Sequence, residues 1–384
     1  MKILIAPDKF KGSLGAKEVA LAIEKGVERV LPRAETILCP MADGGEGTVE
    51  TLVSATGGEI VPVRATGPLG KPVDAYFGIL LRTHNLPTAT CVIEMAAASG
   101  LRLTPESKRN PMLTTTYGTG ELIRAALDHG CREIIIGIGD SATNDGGMGM
   151  AQALGARFFD GAGKELGLGR GELLRKIAKI DVSGLDPRLG GTEIIVASDV
   201  DNPLCGPHGA AHVFAPQKGA TPGMVEELDE GLAHYAEIIQ RDLGKNIGDI
   251  PGSGAAGGLG AGLIAFLNAR IRSGVELIIE TVGLEARMRG ADLVITGEGK
   301  MDIQTIRGKT PIGVAGLAAG MGIPTIAIVG QVGDGVEAVY DRGITEVFPL
   351  MDVASSLEEA MNNTAKLIEV VAERAMKSLK GRAS

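Results

Sequence analysis

The chain has 384 residues, of which 44% are hydrophobic and 22% charged, and its formal net charge is −9. This length exceeds the size at which one hydrophobic core stops growing, so we expect two domains. The negative charge and an aromatic content of 3% argue against nucleic-acid binding, which needs basic patches and stacking rings. Glycine, with 57 residues, is in excess and indicates many tight turns and places where the backbone approaches a ligand.

Cysteine usage and hydropathy predict the compartment. Cys39, Cys91, Cys131 and Cys205 form no C-x-x-C pair, which is typical of reduced cytosolic thiols and not of a disulfide framework or a zinc site. The uncharged residues 312–330 are long enough to cross a bilayer, but their glycines and Pro324 favour a buried helix followed by a core strand. The N-terminal apolar segment is too short for a signal-peptide core. We therefore expect a cytoplasmic protein without a membrane partner.

The first predicted elements alternate between strand and helix. Strands are predicted at residues 2–6 and 35–40, and helices at residues 13–31, with Ser13 as candidate N-cap, and 49–56. Residues 59–95 differ, because alternating segments joined by Gly-Pro and Gly-Lys-Pro turns indicate antiparallel strands.

The remaining elements return to strand–helix units. Helices are predicted at residues 118–130, 147–159, 222–244, 310–322 and from Ser356 onward, and strands at residues 132–138, 192–200, 290–299, 323–330 and 344–350. This order predicts an α/β protein with two different domains. Residues 1–62 and 240–384 would form a Rossmann-like parallel-sheet domain from both chain ends, and residues 63–239 an inserted mixed α/β domain.

Acidic, glycine-rich loops follow strand after strand. They cover residues 6–13, 41–48, 139–149, 198–207 and 296–305. Ligands of open α/β sheets bind outside the carboxyl ends of the strands. The loops therefore predict one cleft for a ligand that needs both carboxylates and close backbone approach.

The loop "DGGEGT" places Asp43 and Glu46 at the mouth of a predicted helix. Helix N-termini favour anions, so carboxylates there need a cation between them and the anion, and Mg²⁺ bridging carboxylate and phosphate oxygens meets that need. The alternative is a simple turn and N-cap.

The loop "SATNDGGMG" is typical of a phosphate cradle. Ser141, Thr143 and Asn144 would donate hydrogen bonds, while Gly146 and Gly147 would admit backbone amides. An elaborate capping loop is the alternative. No G-x-x-x-x-G-K-[ST] sequence occurs, so this is not a Walker-type loop. A second glycine-rich stretch, residues 252–262, contains "GGLGAG", but no clear strand precedes it, and a dinucleotide fingerprint there is weak.

Further charged residues surround these loops. Asp199 and Asp201 follow an apolar strand at alternate positions, so both carboxylates could reach one metal or one hydroxyl. Glu298, Lys300, Asp302 and Gln304 have the same spacing, and Lys11, Lys218 and Lys309 are the basic residues nearest to glycine-rich turns. No G-x-S-x-G motif appears, so serine-triad hydrolysis is unsupported. Phosphoryl transfer, which needs positioning, Mg²⁺ and cationic donors, suits this inventory.

Seven motifs follow one another along the chain: "APDKFKGSL", "PMADGGEGT", "GDSATNDGG", "DVDNPLCGP", "FAPQKGA", "PGSGAAGGLGAG" and "TGEGKMDIQT" with "GKTPIGVA". Together and in this order they resemble the motifs of the bacterial glycerate kinase type-1 family, and the likeness runs from residue 1 to about residue 375. The resemblance implies an ATP- and Mg²⁺-dependent kinase that acts on D-glycerate and gives 2-phosphoglycerate. It also implies a two-domain α/β fold with the active site in the cleft between the domains. We expect a monomer or homodimer whose partners are D-glycerate and a nucleotide.

The resemblance also implies which loops form the site. Asp199 or Asp201 would orient or deprotonate the acceptor hydroxyl, with Lys11 as a third catalytic candidate, and Asp43 or Glu46 would hold Mg²⁺. The candidates for binding substrate or phosphate are Asp8, Ser13, Ser141, Thr143, Asn144, Asp145, Gly146, Gly147, Asn202, Lys218, Glu298 and Gln304.

Two positions depart from the family pattern. Lys9 stands where serine is common, and Asp140 stands where glycine is common. Asp140 would either bind metal or point outward as an N-cap. Two other functions stay open: a non-catalytic two-domain sensor of an acidic metabolite, and a nicotinamide-dependent dehydrogenase that uses the "GGLGAG" loop.

Overall fold

The structure, a computed structural model, describes residues 1–81 and 88–382. The strands are β1 (Lys2–Ile5), β2 (Glu35–Leu38), β3 (Glu59–Thr66), β4 (Pro72–Ile79), β5 (Thr90–Glu94), β6 (Glu133–Gly137), β7 (Arg157–Phe159), β8 (Lys179–Asp181), β9 (Glu193–Ala197), β10 (Arg270–Arg272), β11 (Leu293–Met301), β12 (Thr325–Val332) and β13 (Ile344–Pro349). The α-helices are α1 (Ala16–Val30), α2 (Thr48–Thr56), α3 (Ala96–Ser99), α4 (Tyr117–Asp128), α5 (Met148–Ala153), α6 (Ala210–Phe214), α7 (Pro222–Leu243), α8 (Ala255–Leu267), α9 (Gly274–Val282), α10 (Leu284–Met288), α11 (Thr310–Gly320), α12 (Leu357–Asn362) and α13 (Thr364–Arg382).

The chain divides into two compact units. The terminal unit contains Met1–Asp43 and Val275–Ser384, and the inserted unit contains Gly44–Gly274. The boundaries expected after residues 62 and 239 fall inside β3 and α7, respectively. Both elements are continuous, since β3 pairs with β4 along its whole length and α7 runs on to Leu243, so the chain crosses between units elsewhere.

The terminal unit is built on a five-stranded parallel sheet, which confirms the parallel sheet expected from both chain ends. Its strand order is β13-β12-β11-β1-β2. Ile3, Leu4 and Ile5 of β1 have no exposed surface, as expected for a central strand covered on both faces. On one face α1 packs against α13, where a Cβ at Gly26 would lie 2.5 Å from the Cβ of Ala372. Glycine at this position lets the two helices approach.

The inserted unit contains a mixed six-stranded sheet, in the order β10-β9-β6-β5-β4-β3. The β3–β4 and β4–β5 pairs are antiparallel, as the sequence predicts for residues 59–95, of which residues 82–87 lie outside the described part. The pairs from β5 to β10 are parallel. The helix predicted over residues 147–159 is shorter, because α5 ends at Ala153 and a strand, β7, follows Gly155, whose φ is +107°.

The cysteines differ from the sequence-based expectation. The structure contains a disulfide between Cys91 and Cys131, both buried, with their Cα atoms 6.1 Å apart. The parallel pairing of β5 with β6 explains this pair, because it aligns Cys91 with Ile134, three residues after Cys131. The expectation of four reduced thiols is therefore wrong for Cys91 and Cys131, whereas Cys39 and Cys205 are free. Among the described residues, no helix is long and apolar enough to cross a membrane.

Candidate functional site

The carboxyl ends of β1, β11 and β12 enclose a cavity of about 310 Å³ in the terminal unit. Asp8, Asp43 and Glu298 line it, and we call it the acidic cavity. It is also lined by Lys9, Lys11, Ser13, Lys300 and Lys309, and by apolar side chains that include Phe10, Leu357 and Met361. The cavity therefore combines carboxylates, ammonium groups and an apolar wall, as ligand-binding sites do.

Asp8 is a buried carboxylate of the acidic cavity. The residue lies in the loop that follows β1 and is 7% exposed. Oδ1 accepts a 2.7 Å hydrogen bond from the backbone N–H of Lys9, and Oδ2 accepts one of 2.8 Å from Oγ1 of Thr310. Burial and the charge of Asp43 raise the pKa of Asp8 to about 6, against the opposing effects of Lys9 and these hydrogen bonds.

Lys9 lies beside two carboxylates. Its Nζ is 3.2 Å from Oδ1 of Asp43 and 3.8 Å from Oδ1 of Asp8. Lys9, which departs from the family pattern, thus places an ammonium group next to the carboxylates of Asp8 and Asp43. Lys9 has no role predicted from the sequence, although it directly follows Asp8 within the acidic loop of residues 6–13.

Glu298 is the second buried acid of the acidic cavity. Oε1 accepts a 2.6 Å hydrogen bond from Oγ1 of Thr305, and Nζ of Lys309 is 3.8 Å from Oε2. Burial raises the pKa of Glu298 to about 7, while Thr305 and Lys309 act in the opposite direction. Thr305 and Thr310 were not predicted as site residues. Thr305 is the last residue of the acidic segment 296–305, and Thr310 is the first residue of α11, so each had a position that could have identified it.

The other predicted residues of the terminal unit lie around this group. Lys11 lines the cavity with an exposed side chain, and Ser13 donates to the backbone carbonyl of Met361 at 3.2 Å. Gln304 is exposed and does not line the cavity; its backbone N–H donates to Oδ1 of Asp302.

In the inserted unit, a buried polar loop follows β6. We call residues 141–147 the Ser141 loop. Nζ of Lys218 donates hydrogen bonds of 2.7 Å to both Oγ of Ser141 and the backbone carbonyl of Thr143. Lys218 is 1% exposed, and burial lowers its pKa to about 7, while the charge of Asp145 acts in the opposite direction. Lys218 thus faces the inside of the loop and is not presented to solvent.

Asp145 is fully buried and stabilises the same loop. Oδ2 accepts hydrogen bonds from the N–H and Oγ1 of Thr116, both at 2.8 Å, and from the N–H of Gly149, while the N–H of Gly147 donates to Oδ1. Burial raises the pKa of Asp145, and these hydrogen bonds oppose the rise. The N–H of Gly146 donates to the carbonyl of Gly257. The amides of Gly146 and Gly147 are therefore used inside the fold.

The glycines around this loop serve close packing. A Cβ at Gly137 would lie 2.2 Å from the carbonyl oxygen of Gly44, and one at Gly257 would lie 2.0 Å from that of Thr143. Residues 44–45 thus pack on the end of β6, and the "GGLGAG" stretch packs on the Ser141 loop. The described element that precedes α8 is α7 and not a strand, so this stretch lacks the strand that a dinucleotide fingerprint requires, and the dinucleotide interpretation is not supported.

The remaining predicted residues have other partners. Oδ1 of Asp199 accepts hydrogen bonds from Oγ of Ser273 at 2.9 Å and from the N–H of Gly274 at 2.8 Å. Asp201 is exposed, and Nδ2 of Asn202 donates to the carbonyl of His208 at 2.8 Å. Glu46 forms an ion pair with Arg102.

Asp140, the second departure from the family pattern, has a backbone explanation. Its φ is +57°, in the left-handed region that glycine adopts without strain and that aspartate tolerates better than most residues. Its carbonyl accepts a hydrogen bond from the N–H of Leu101. The common glycine at this position is thus explained by conformation.

Comparison with known proteins decides the family. A family model described as the glycerate kinase family matches residues 3–380. The chain belongs to the glycerate kinase family. A glycerate kinase of Bacillus subtilis is 52% identical over 380 residues, covering 99% of this chain and 98% of the relative. A glycerate 2-kinase of Escherichia coli is 51% identical over 360 residues, covering 94% of this chain and 93% of the relative.

A solved structure extends the family likeness to the fold. The crystal structure of a protein assigned as glycerate kinase 2 from Salmonella typhimurium LT2 is similar to this chain with a TM-score of 0.86 and 49% sequence identity. The alignment covers 100% of this chain and 99% of the other. The family membership therefore holds for both units of the chain.

Proposed function

We propose that this protein transfers the γ-phosphoryl group of ATP to a hydroxyl group of D-glycerate and forms 2-phosphoglycerate. Support comes from the family match over residues 3–380 and from the glycerate 2-kinase of Escherichia coli at 51% identity. The structural observation that carries the proposal is the acidic cavity, where the buried acids Asp8 and Glu298 share a cavity with lysines. Buried acids with raised pKa values are a mark of chemical sites.

The lysines of the acidic cavity suit a polyphosphate. We propose that Lys11, Lys300 and Lys309 neutralise nucleotide phosphates, since phosphoryl transfer depends on positioning and on charge stabilisation. The apolar wall formed by Phe10, Leu357 and Met361 would exclude water from the bound ligand.

A Mg²⁺ ion fits the acidic side of this cavity. Within residues 1–81 and 88–382, no group of three or more His, Cys, Asp or Glu side chains could hold a metal by itself. Mg²⁺ commonly uses one or two carboxylates together with substrate phosphates, and Asp43, which raises the pKa of Asp8 by its charge, offers such a carboxylate. Glu46, the other metal-binding candidate from the sequence, does not line the cavity and forms an ion pair with Arg102. The ion would supply neutralisation of phosphate charge.

The inserted unit supplies the remaining candidates. Thr143 Oγ1 and both amide atoms of Asn144 are buried without a hydrogen-bond partner among the described residues. We propose that Ser141, Thr143 and Asn144 bind substrate after a small rearrangement of the loop, and that Asp201 and Asn202 orient its polar groups. Asp199 fits a supporting role better, since it already holds the backbone at residues 273–274.

Phosphorus NMR tests the proposed reaction directly. We expect a mixture of protein, ATP, Mg²⁺ and D-glycerate to show the 2-phosphoglycerate resonance with stoichiometric ADP. Absence of any phosphoglycerate would refute the proposal, and the 3-phospho product would correct the position of transfer. Thermal stabilisation by D-glycerate without ADP release would favour the sensor instead.

A further inference from the structure

Ser141 and Lys218 form a pair that the sequence alone does not predict. Lys218 ends the short 3₁₀ turn Pro216–Lys218, 77 positions from Ser141, and its Nζ lies 2.7 Å from the hydroxyl oxygen. Ser141 is 8% exposed, whereas Lys218 is 1% exposed and Thr143, Asn144 and Asp145 are not exposed at all. Lys218 can therefore act on a ligand only through Ser141, the more exposed side chain of the pair.

The contacts of Lys218 suit both of its protonation states. As an ammonium group, Nζ donates to Oγ of Ser141 and to the carbonyl of Thr143. As a neutral amine, Nζ still donates to the carbonyl, and its lone pair accepts the hydroxyl proton of Ser141. A lysine with a purely structural role would need only the protonated arrangement. This geometry allows a proton to move between the two side chains without rearrangement of heavy atoms.

The surroundings of Lys218 leave its charge incompletely balanced. Asp145 is the charged group that acts on Lys218 electrostatically, but its oxygens already accept hydrogen bonds from Thr116, Gly147 and Gly149. Burial outweighs this attraction and lowers the pKa of Lys218 to about 7, so a substantial neutral fraction exists near neutral pH.

We propose that Ser141 is a catalytic residue that takes the proton from the acceptor hydroxyl while Lys218, acting through Ser141, takes the proton of Ser141. The inference rests on the proposed kinase function. As the substrate oxygen bonds to the γ-phosphorus of ATP, the bond from phosphorus to the ADP oxygen breaks. The hydroxyl proton passes to Oγ of Ser141, and the proton of Ser141 passes to Nζ of Lys218. After the product has left, the proton passes from Nζ of Lys218 back through the hydroxyl of Ser141, the more exposed of the two groups, to solvent, and the pair is restored.

This assignment differs from one that uses Asp199 or Asp201. Asp199 accepts two hydrogen bonds at residues 273–274, and Asp201 is exposed to solvent. A catalytic base works best when its pKa lies near the working pH, and the pKa of Lys218 is about 7.

The test compares kcat, KM for D-glycerate and pH profiles of wild type, Ser141→Ala, Lys218→Met and Lys218→Arg. In the wild type, we expect kcat to fall about tenfold per pH unit below the pKa of about 7. Ser141→Ala and Lys218→Met should lower kcat by about 10²–10⁴-fold, change KM much less, and lack this limb. Lys218→Arg should be equally slow, because arginine keeps the charge and the donors but does not give up its proton.

Lys245→Met is the matched control. Lys245 is also a partly buried lysine of the inserted unit with a pKa lowered by burial, and its Nζ donates to the carbonyls of Ile264 and Ala265. This variant should keep the wild-type kcat and pH profile.

Three results would overturn the inference. The first is a kcat of Lys218→Arg above a tenth of the wild-type value, and the second is a kcat of Ser141→Ala above a tenth of the wild-type value. The third is a pH profile of Ser141→Ala that keeps the fall in kcat on the acid side. If the lysine variants do not fold in thermal melts, Ser141→Ala decides, because it removes one hydroxyl from a side chain at the edge of the loop. Wild-type protein that forms no phosphoglycerate would instead refute the kinase proposal itself.

Discussion

Oγ1 of Thr310 donates a 2.8 Å hydrogen bond to Oδ2 of Asp8, joining two buried residues that are 302 positions apart. The bond fixes the start of α11 against the loop that follows β1. Since hydrogen bonds to a carboxylate favour its charged form, the contact also keeps the pKa of Asp8 from rising above about 6. One contact thus contributes both to the fold of the terminal unit and to the charge of its cavity.

Thr310→Val should weaken the fold more at pH 8 than at pH 5. The variant removes a donor from a buried carboxylate, which costs about 1–3 kcal/mol when the group is charged and less when it is protonated. Urea unfolding at the two pH values measures this difference. Thr345→Val is the control, because the hydroxyl of Thr345 donates to the uncharged carbonyl of Thr325. This variant should lose the same free energy of unfolding at both pH values. Equal losses for Thr310→Val would contradict the role assigned to this bond.

Glu298→Gln should stabilise the protein at pH 8 and abolish activity. Burial raises the pKa of Glu298 from 4.5 to about 7, so the folded state binds the proton more tightly than the unfolded state. The stability that Glu298 contributes is therefore fully present below pH 4.5 and is lost as the pH rises through about 7. A neutral amide avoids this loss, which amounts to about 3 kcal/mol. Denaturant unfolding at pH 5 and pH 8 measures it.

The exposed Glu337 provides the control for that experiment, because Glu337→Gln should leave both stability and kcat unchanged. A Glu298→Gln protein that is less stable than wild type at pH 8 would show that the ion pair with Lys309 outweighs the burial of the charge.

Lys9→Ser should increase the response of the free protein to Mg²⁺. The substitution removes an ammonium group 3.2 Å from Asp43, so the repulsion between Asp43 and Asp8 increases and a divalent cation relieves more of it. Thermal melts with and without Mg²⁺ should show a larger rise in Tm for Lys9→Ser than for wild type or for Lys17→Ser, an exposed lysine of α1. Identical rises would argue against a cation site at Asp43.

Asp140→Gly should be neutral or stabilising by up to about 1 kcal/mol, because glycine relieves the left-handed strain while adding freedom to the unfolded chain. Asp140→Val should be clearly destabilising, since a β-branched side chain is unfavourable at a φ of +57°. Tm values of the two variants measure this order. The reverse order would mean that the Asp140 carboxylate, and not the backbone, dominates this position.

Reduction of the Cys91–Cys131 disulfide should lower the stability of the inserted unit. A cross-link between residues 40 positions apart limits the unfolded chain and contributes about 4 kcal/mol in the chain-entropy estimate. Thiol titration of denatured, non-reduced protein should count two thiols, from Cys39 and Cys205, and four after reduction. Four thiols before reduction would show that the bond does not form. Cys205→Ser should not alter the effect of reductant on Tm.

The sequence by itself determined the strand–helix order of both chain ends, but it did not predict α8 or the short strands β7, β8 and β10. Local patterns sufficed for the strands of the sheet formed by both chain ends, for the antiparallel strands after residue 59, and for the acidic loop at residues 6–13, because periodicity and glycine positions are local properties. The segment predicted as an acidic loop at residues 296–305 instead begins within β11, which runs to Met301. The motif order also sufficed for the family.

Only the tertiary structure decided how those residues are used. Thr310 reaches Asp8, Lys218 reaches Ser141, and Cys91 reaches Cys131 through pairings between distant segments, which no local pattern specifies. Burial then sets the chemistry: it raises the pKa of Asp8 and Glu298 and lowers that of Lys218 because charges lose hydration inside the protein. Sequence spacing gives no measure of that desolvation. For this reason the spacing predicted that Lys218 faces a ligand, whereas the structure has Lys218 buried behind Ser141.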